Sequence, residues 1–410
     1  MEKSVTVTKI LARALVSSAL VVTASAAVGA NSAGAKPDSG HRFATWGPSM
    51  TKGGPNFNNQ TIRMVVHTSI GGNSLRIRLS NQRSTTPLAV GAVDIAVQDT
   101  MATAVAGTHH TVTFSRAKAV NIPTGAEVLS DPIAMTVGAD KSLLVSIDLP
   151  QATTSATWHS DAFDTTYLSL PGNHTRDDGD GNYIAATTSW YYLSGLDVAS
   201  TKATGTVVAF GDSITDGYNT PTGAYATWPD DLARRLAGRP LGVVNAGIGG
   251  NRVLTDVPNI WQGVSALKRF SHDALGQPGV RDVVLLEGIN DIGNNAGPNG
   301  AALTAQDLID GYSNLVAQAH AAGVRIIGAT MLPDFGAGYY SASAEAIRQA
   351  ANDWIRTSGA FDGLIDFDRA VADPANPAAL NPSYDSGDHL HPNAAGMQAM
   401  ANAVDLQLLS

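Results

Sequence analysis

TVVAFGDSITDG, residues 206–217, is the stretch on which the reading of this chain turns. It opens as a continuous apolar run of strand length and breaks, without a linker, into Gly211, Asp212, Ser213 and a second glycine at Gly217. A strand covered on both faces reads this way in a parallel sheet. The glycine-flanked polar turn then places Ser213 at a strand-to-helix junction, where a nucleophile can stand exposed. Gly-Asp-Ser alone describes an ordinary β-turn equally well, so its meaning depends on the surrounding chain.

Toward the C-terminus the same grammar repeats. The strand-like runs LGVVNAG (241–247), DVVLLEG (282–288), VRIIGAT (324–330) and GLIDFD (363–368) alternate with the helix-like segments WPDDLARRLAG, LTAQDLIDGYSNLVAQAHAAG and SAEAIRQAANDWIRTSG. Alternation of this kind predicts a parallel sheet with helices on both faces, and such sheets bind ligands outside the carboxyl ends of their strands. Two further junctions at that edge are polar and glycine-rich: NAGIGGN (245–251) and EGIND (287–291). Their backbone N–H groups, with the side-chain amide of Asn290, could hold an oxyanion, although glycine loops also serve tight turns alone.

The last polar element is DHLHPNAAG (388–396), which sets Asp388 three residues before His391 and ends in a Pro-Asn helix start. A serine hydroxyl needs a base, and the base needs a partner that fixes its tautomer. One short loop offers both. Asn393 capping a helix beside solvated histidines is one competing reading; His389 with His391 as metal ligands is another, and it leaves GDSITDG and EGIND without a role.

These four segments, in this order, resemble the SGNH (GDSL) hydrolase family over roughly residues 205–408. The resemblance implies a flavodoxin-like three-layer α/β/α hydrolase domain. It also implies Ser213 as nucleophile, His391 as base, Asp388 as its orienter, and an oxyanion hole from Ser213, Asn290 and a glycine of the second block. Among Gly247, Gly249 and Gly250, the spacing from Asn245 favours Gly250. No metal or organic cofactor is required. The expected activity is a serine esterase working through an acyl-enzyme. Carbohydrate acyl or acetyl esters are favoured as substrates, because no long apolar lid segment lies near the catalytic loops. Lipase or arylesterase activity, acyl transfer on the same residues, and a non-catalytic glycan-binding protein are the alternatives. The spacing of the acid and base, and the lack of a G-x-S-x-G elbow, make a standard α/β-hydrolase a poor match.

Toward the N-terminus the period changes to two. TIRMVVHTSI, SLRIRLSN, AVGAVDIAVQ, HTVTF, DPIAMTV and KSLLVSIDL alternate apolar and polar residues between Gly, Pro and Asn punctuation. No helical stripe of similar length precedes residue 200. A β-sandwich over 41–200 is therefore expected, followed by the hydrolase domain over 203–410, which should contain the whole catalytic apparatus. In the sandwich, RDDGDGNY spaces Asp178, Asp180 and Asn182 like the start of a calcium loop, but the twelfth position is Ser189. A solvated turn is the better reading. Trp190, Tyr191 and Tyr192 could stack on sugars, and core packing is the better reading for them too.

Residues 1–35 carry Lys3, Lys9 and Arg13, an apolar run over 14–22 and small-residue sites at 24–26 and 33–35, the layout of a secretory signal peptide. Ser17, Ser18 and Thr23 interrupt the run, whereas a membrane anchor needs roughly 20 uninterrupted apolar residues. Cleavage there would leave 23 basic and 34 acidic residues, a net charge of −11. That excess is unsuited to nucleic acid, and the absence of cysteine excludes thiolate sites. The expected location is extracellular, without stable membrane insertion, and the expected partner is a small-molecule or polysaccharide ester.

Overall fold

The computed structural model describes residues 41–257 and 259–409; the leader expected over 1–35 lies outside the described residues. From residue 42 to residue 200 the elements are strands, in two main antiparallel sheets with two small two-stranded sheets beside them. The larger is built around Gln60–Thr68, Lys141–Leu149 and Ala92–Thr100, and the smaller has the order Arg42–Trp46, Leu193–Ala199, Ser74–Ser80, Glu127–Leu129. The period-two pattern follows from the pairing. Leu143, Val145 and Ile147 stand opposite Val66, Met64 and Ile62, and all six point into one core with Leu75, Ile77 and Leu79 of the other sheet. Tyr191 and Tyr192 are buried in that core, with Trp190 half-buried against it.

The acidic RDDGDGNY turn has a structural use. Arg63 is fully buried in the larger sheet, and its guanidinium donates to the carbonyls of Ala102, His174, Thr175 and Asp177 while lying 4.3 Å from the centre of the Tyr183 ring. Within the turn, Asn182 Nδ2 donates to Asp177 Oδ2 at 2.7 Å. The segment thus closes over a buried cation and supplies one of its acceptors, Asp177 O.

From residue 205 the fold is a five-stranded parallel sheet: β1 (Gly205–Gly211), β2 (Leu241–Gly247), β3 (Val280–Leu286), β4 (Arg325–Ala329) and β5 (Gly363–Ile365). Its order is 2-1-3-4-5, the flavodoxin-like arrangement. Helices cover both faces. Val208, Phe210, Val283 and Leu285 pack under α3 (Ala266–Asp273), α5 (Ala305–Ala321) and α6 (Ala342–Thr357). The alternate residues Val207, Ala209, Val284 and Leu286 pack under α2 (Trp228–Arg235), α7 (Phe367–Val371) and α8 (Ala394–Ala403). The starts of α2 and α5 are fixed by capping boxes, Thr227 with Asp230 and Thr304 with Asp307. The short α3, whose N-terminus has no side-chain cap, gives no comparable sequence signal.

The two halves pack as one compact unit. The edge strand β2 lies against the smaller antiparallel sheet. Val243 N–H donates to Ser69 Oγ at 2.9 Å, and a Cβ at Gly242 would stand 2.5 Å from Ala44 O, so glycine permits the close approach. The Thr206 hydroxyl completes the joint, accepting from Ala44 N–H and donating to Pro278 O. Among the described residues, no helix is long and apolar enough to cross a membrane.

Candidate active site

The site forms where β1 gives way to α1 (Ser213–Asp216). Asp212 caps this short helix, its side chain accepting from Ile214 N–H, and Gly217 ends it with φ 110°. Gly211 is required by proximity, since a Cβ there would meet Leu286 O at 2.2 Å. Ser213 is consequently held in a turn pressed against the neighbouring strand, with 8% of its surface exposed.

Ser213 Oγ lies 2.8 Å from His391 Nε2, and His391 Nδ1 lies 2.7 Å from Asp388 Oδ2. The carboxylate accepts, so Nδ1 carries the hydrogen and Nε2 is left to accept from the serine hydroxyl. Burial lowers the His391 pKa, and Asp388 only partly opposes it. For Asp388, partial burial opposes ionisation. The N–H and ring of His391 and the N–H of Leu390 outweigh it and hold the carboxyl below its ordinary range. Asn219 Nδ2 donates to the same Asp388 Oδ2 at 3.1 Å. Sequence reasoning missed Asn219, whose positive φ of 67° in the turn after GDSITDG places it there. His389 pairs with a different carboxylate, its Nδ1 lying 2.5 Å from Asp385 Oδ2. No group able to hold a metal ion occurs among the described residues.

Register carries the other two blocks to the same place. Gly211 pairs with Gly247 on one side and Leu286 on the other, so the turns after β2 and β3 flank Ser213. Gly247 N–H is taken by Asn245 Oδ1 and Gly249 N–H by Asp216 Oδ2. Of the three glycines, Gly250 alone has an N–H with no acceptor among the described residues; its φ is 72°. Asn290, in the short α4 (Ile289–Gly293), opens on the same turn, Nδ2 donating to Asn251 O at 3.0 Å and Oδ1 accepting from Tyr339 at 3.2 Å. Those partners fix the amide and leave its second N–H available. Gln262 lies over Gly250, close enough that a Cβ there would collide with its amide.

Beneath the site, Arg269 of α3 ties the strand ends together. It donates to Gly211 O and Ala246 O, each at 2.8 Å, and to Glu287 Oε2 at 3.3 Å. Around it, burial raises Asp212 and Asp291 to about 7 each and pushes Glu287 up as well, with the mutual proximity of Asp212 and Glu287 adding to the effect on Glu287. Arg269 was not identified from the sequence, because its partners are distant and α3 is short.

The N-terminal half also reaches the site. Ser49 Oγ donates to Ala246 O, and His159 is buried against Asp216 at 3.0 Å. The sequence reading puts the whole catalytic apparatus beyond about residue 203; what the N-terminal half brings to it here is the contacts of Ser49 with Ala246 and of His159 with Asp216. A cavity of about 180 Å³ lies at this junction between Trp46, His67, Phe163, Trp190 and Tyr225, and Ser213 does not line it.

Residues 209–399 match the model of the GDSL-like Lipase/Acylhydrolase family. No curated protein sequence matches the chain. Solved structures similar to it include a GDSL-like lipase from Bacteroides thetaiotaomicron (20% identity over 50% of this chain and 87% of that one, TM-score 0.38). An aryl esterase from M. smegmatis is 16% identical over 48% of this chain and 95% of its own, with a TM-score of 0.39. An acetyl xylan esterase is 19% identical over 48% and 96%, with a TM-score of 0.37.

Proposed function

We propose, from a C-terminal half that is a GDSL-like acylhydrolase domain, that this protein is an exported serine esterase acting on small acyl esters of carbohydrates. The observation that carries the ester chemistry is the unbroken Ser213–His391–Asp388 relay, with distances of 2.8 and 2.7 Å, beside turns that present N–H groups. Ser213 Oγ attacks the ester carbonyl as its proton passes to His391 Nε2. The N–H groups of Ser213 and Gly250 and the amide of Asn290 receive the developing oxyanion. Collapse expels the alcohol, protonated by His391, and leaves an acyl-serine. Water, deprotonated by the same ring, then releases the acid. Asp388 fixes the ring and balances the imidazolium. Asn219 in turn holds Asp388.

Two exposed aromatic side chains support a sugar as the alcohol part. Tyr218 is 43% exposed with its ring centre 4.5 Å from that of His391, and Trp261, 36% exposed, lies beside Gly249. Such rings offer faces on which a sugar can stack. The basic, apolar and small-residue order of residues 1–35 supports export, which N-terminal sequencing of protein from the culture medium tests. For the substrate, purified protein is assayed on acetylated sugars and on p-nitrophenyl esters of increasing chain length. Preference for acetylated sugars is expected. Preference for long-chain esters would establish the lipase reading instead, transfer of the acyl group to an added alcohol would indicate a transferase, and glycan binding without turnover a binding protein.

A further inference from the structure

We propose that His159, from the strand-rich N-terminal half, is a positioning residue of the ester-hydrolysing site: through Asp216 it fixes the Gly249–Gly250 turn that receives the oxyanion. This rests on the reading of Gly250 as an oxyanion donor.

The ring of His159 is almost fully buried, and each of its nitrogens faces an acceptor. Nδ1 lies 2.9 Å from Ser49 O, a carbonyl that can only accept, and Nε2 lies 3.0 Å from Asp216 Oδ1. Both nitrogens therefore carry hydrogen. Burial alone would drive the ring neutral, but Asp216 and Ser49 O outweigh it and raise its pKa to about 9. Asp161, two residues along, adds its charge.

The other oxygen of Asp216 does the positioning. Asp216 Oδ2 accepts Gly249 N–H at 3.2 Å, so one carboxylate joins the helix that starts at Ser213 to the residue before Gly250. The backbones are equally close, since a Cβ at Gly247 would stand 2.3 Å from Asp216 N. With its two oxygens held by His159 and Gly249, Asp216 cannot rotate without breaking a charged pair. Ser49 reinforces the arrangement: its carbonyl holds His159, while its hydroxyl donates to Ala246 O at the end of β2 and accepts from Arg269. A buried ion pair is weak evidence of stabilisation, because apolar replacements often serve as well. What distinguishes this pair is where it ends, on the amide that precedes the proposed donor.

Kinetics of His159→Ala, Asp216→Ala and Asp216→Asn on a small soluble ester test the proposal. The asparagine variant can keep every contact without charge, accepting from Gly249 with Oδ1 and donating from Nδ2 to a neutral His159 Nε2. Losing an oxyanion donor outright costs about 10²–10³ in kcat, so displacing one should cost roughly 10- to 100-fold in both alanine variants with KM nearly unchanged. Asp216→Asn should recover most of that loss. Amide exchange over 247–251 should rise in the alanine variants and return to the wild-type level in Asp216→Asn. The two Asp216 variants keep the test decisive if His159→Ala does not fold. Wild-type kcat in folded alanine variants, a change confined to KM, or no recovery in Asp216→Asn overturns the proposal. Ser213→Ala assayed alongside separates the two claims. Retained turnover in that variant sinks the serine mechanism itself, whereas an inactive Ser213→Ala beside an unimpaired His159→Ala removes only the role of His159.

Discussion

Two histidine–aspartate pairs flank the nucleophile, and their surroundings set them to opposite states. His391 has Asp388 on one ring nitrogen and the neutral Ser213 hydroxyl on the other, in a site where burial lowers its pKa. His159 has acceptors on both nitrogens, and its pKa is raised to about 9. The first ring can take a proton when one is offered; the second already holds both. The comparison teaches that a His–Asp contact does not identify a base. In these two pairs the group on the second nitrogen differs: the Ser213 hydroxyl can donate to His391, whereas the Ser49 carbonyl can only accept from His159.

The largest test of this contrast is removal of the relay. Ser213→Ala or His391→Ala should lower kcat by on the order of 10⁴–10⁶ while the far-UV spectrum is unchanged, and Asp388→Ala should cost less. Near-normal turnover by folded Ser213→Ala would refute the mechanism.

Asn290→Ala should lower kcat by roughly 10²–10³ with KM little altered, because its N–H acts on charge that develops only in the transition state. A pure KM effect would reassign Asn290 to substrate binding.

The pH profile separates the two histidines directly. His391 must be neutral to accept the serine proton and its pKa is lowered, so the acid limb of kcat/KM should have its midpoint below the ordinary value of about 6.5. His159 remains protonated throughout that limb. A midpoint well above 6.5 would show that the buried ring is not the titrating base.

The smallest effect concerns stability. Burial raises the Asp212 carboxyl to about 7 in the folded protein, against about 3.9 when unfolded. The folded state therefore binds the extra proton, and this group's contribution is fully present below about pH 4 and lost as pH rises toward 7. Asp212→Asn keeps an acceptor for Ile214 N–H and cannot ionise, so its Tm should fall less between about pH 5 and pH 8 than that of the wild type. An equal fall in both would place the ionisation cost elsewhere in the cluster.

What the sequence made legible is what lies close together along the chain. Asp388 and His391 share one loop, and GDSITDG carries its own cap and its own helix-ending glycine. Both sheets were readable because burial imposes a period, two where one face packs inward and a continuous apolar run where both do. Arg269 and His159 left no such trace. Arg269 meets Ser49 across 220 residues, and His159 meets Asp216 across 57 and between two different sheet systems. No local pattern encodes a contact of that range, and a buried histidine in a sandwich reads as core. Asn219 lies in the turn that leaves α1, and only the folded loop brings it to Asp388.

The joint at β2 has a consequence for the order in which the molecule comes into being. Strand Leu193–Ala199 supplies the partner of Arg42–Trp46, so the smaller sheet closes only after Ala199 has left the ribosome. The parallel sheet is made afterwards, and its edge strand finds Ser69 and Ala44 already in place. A newly made edge is a template for pairing with other chains, and here synthesis from the N-terminus delivers its cover first. Reversing the order of the two halves by circular permutation would leave that edge open during translation, and the yield of soluble protein would register the difference.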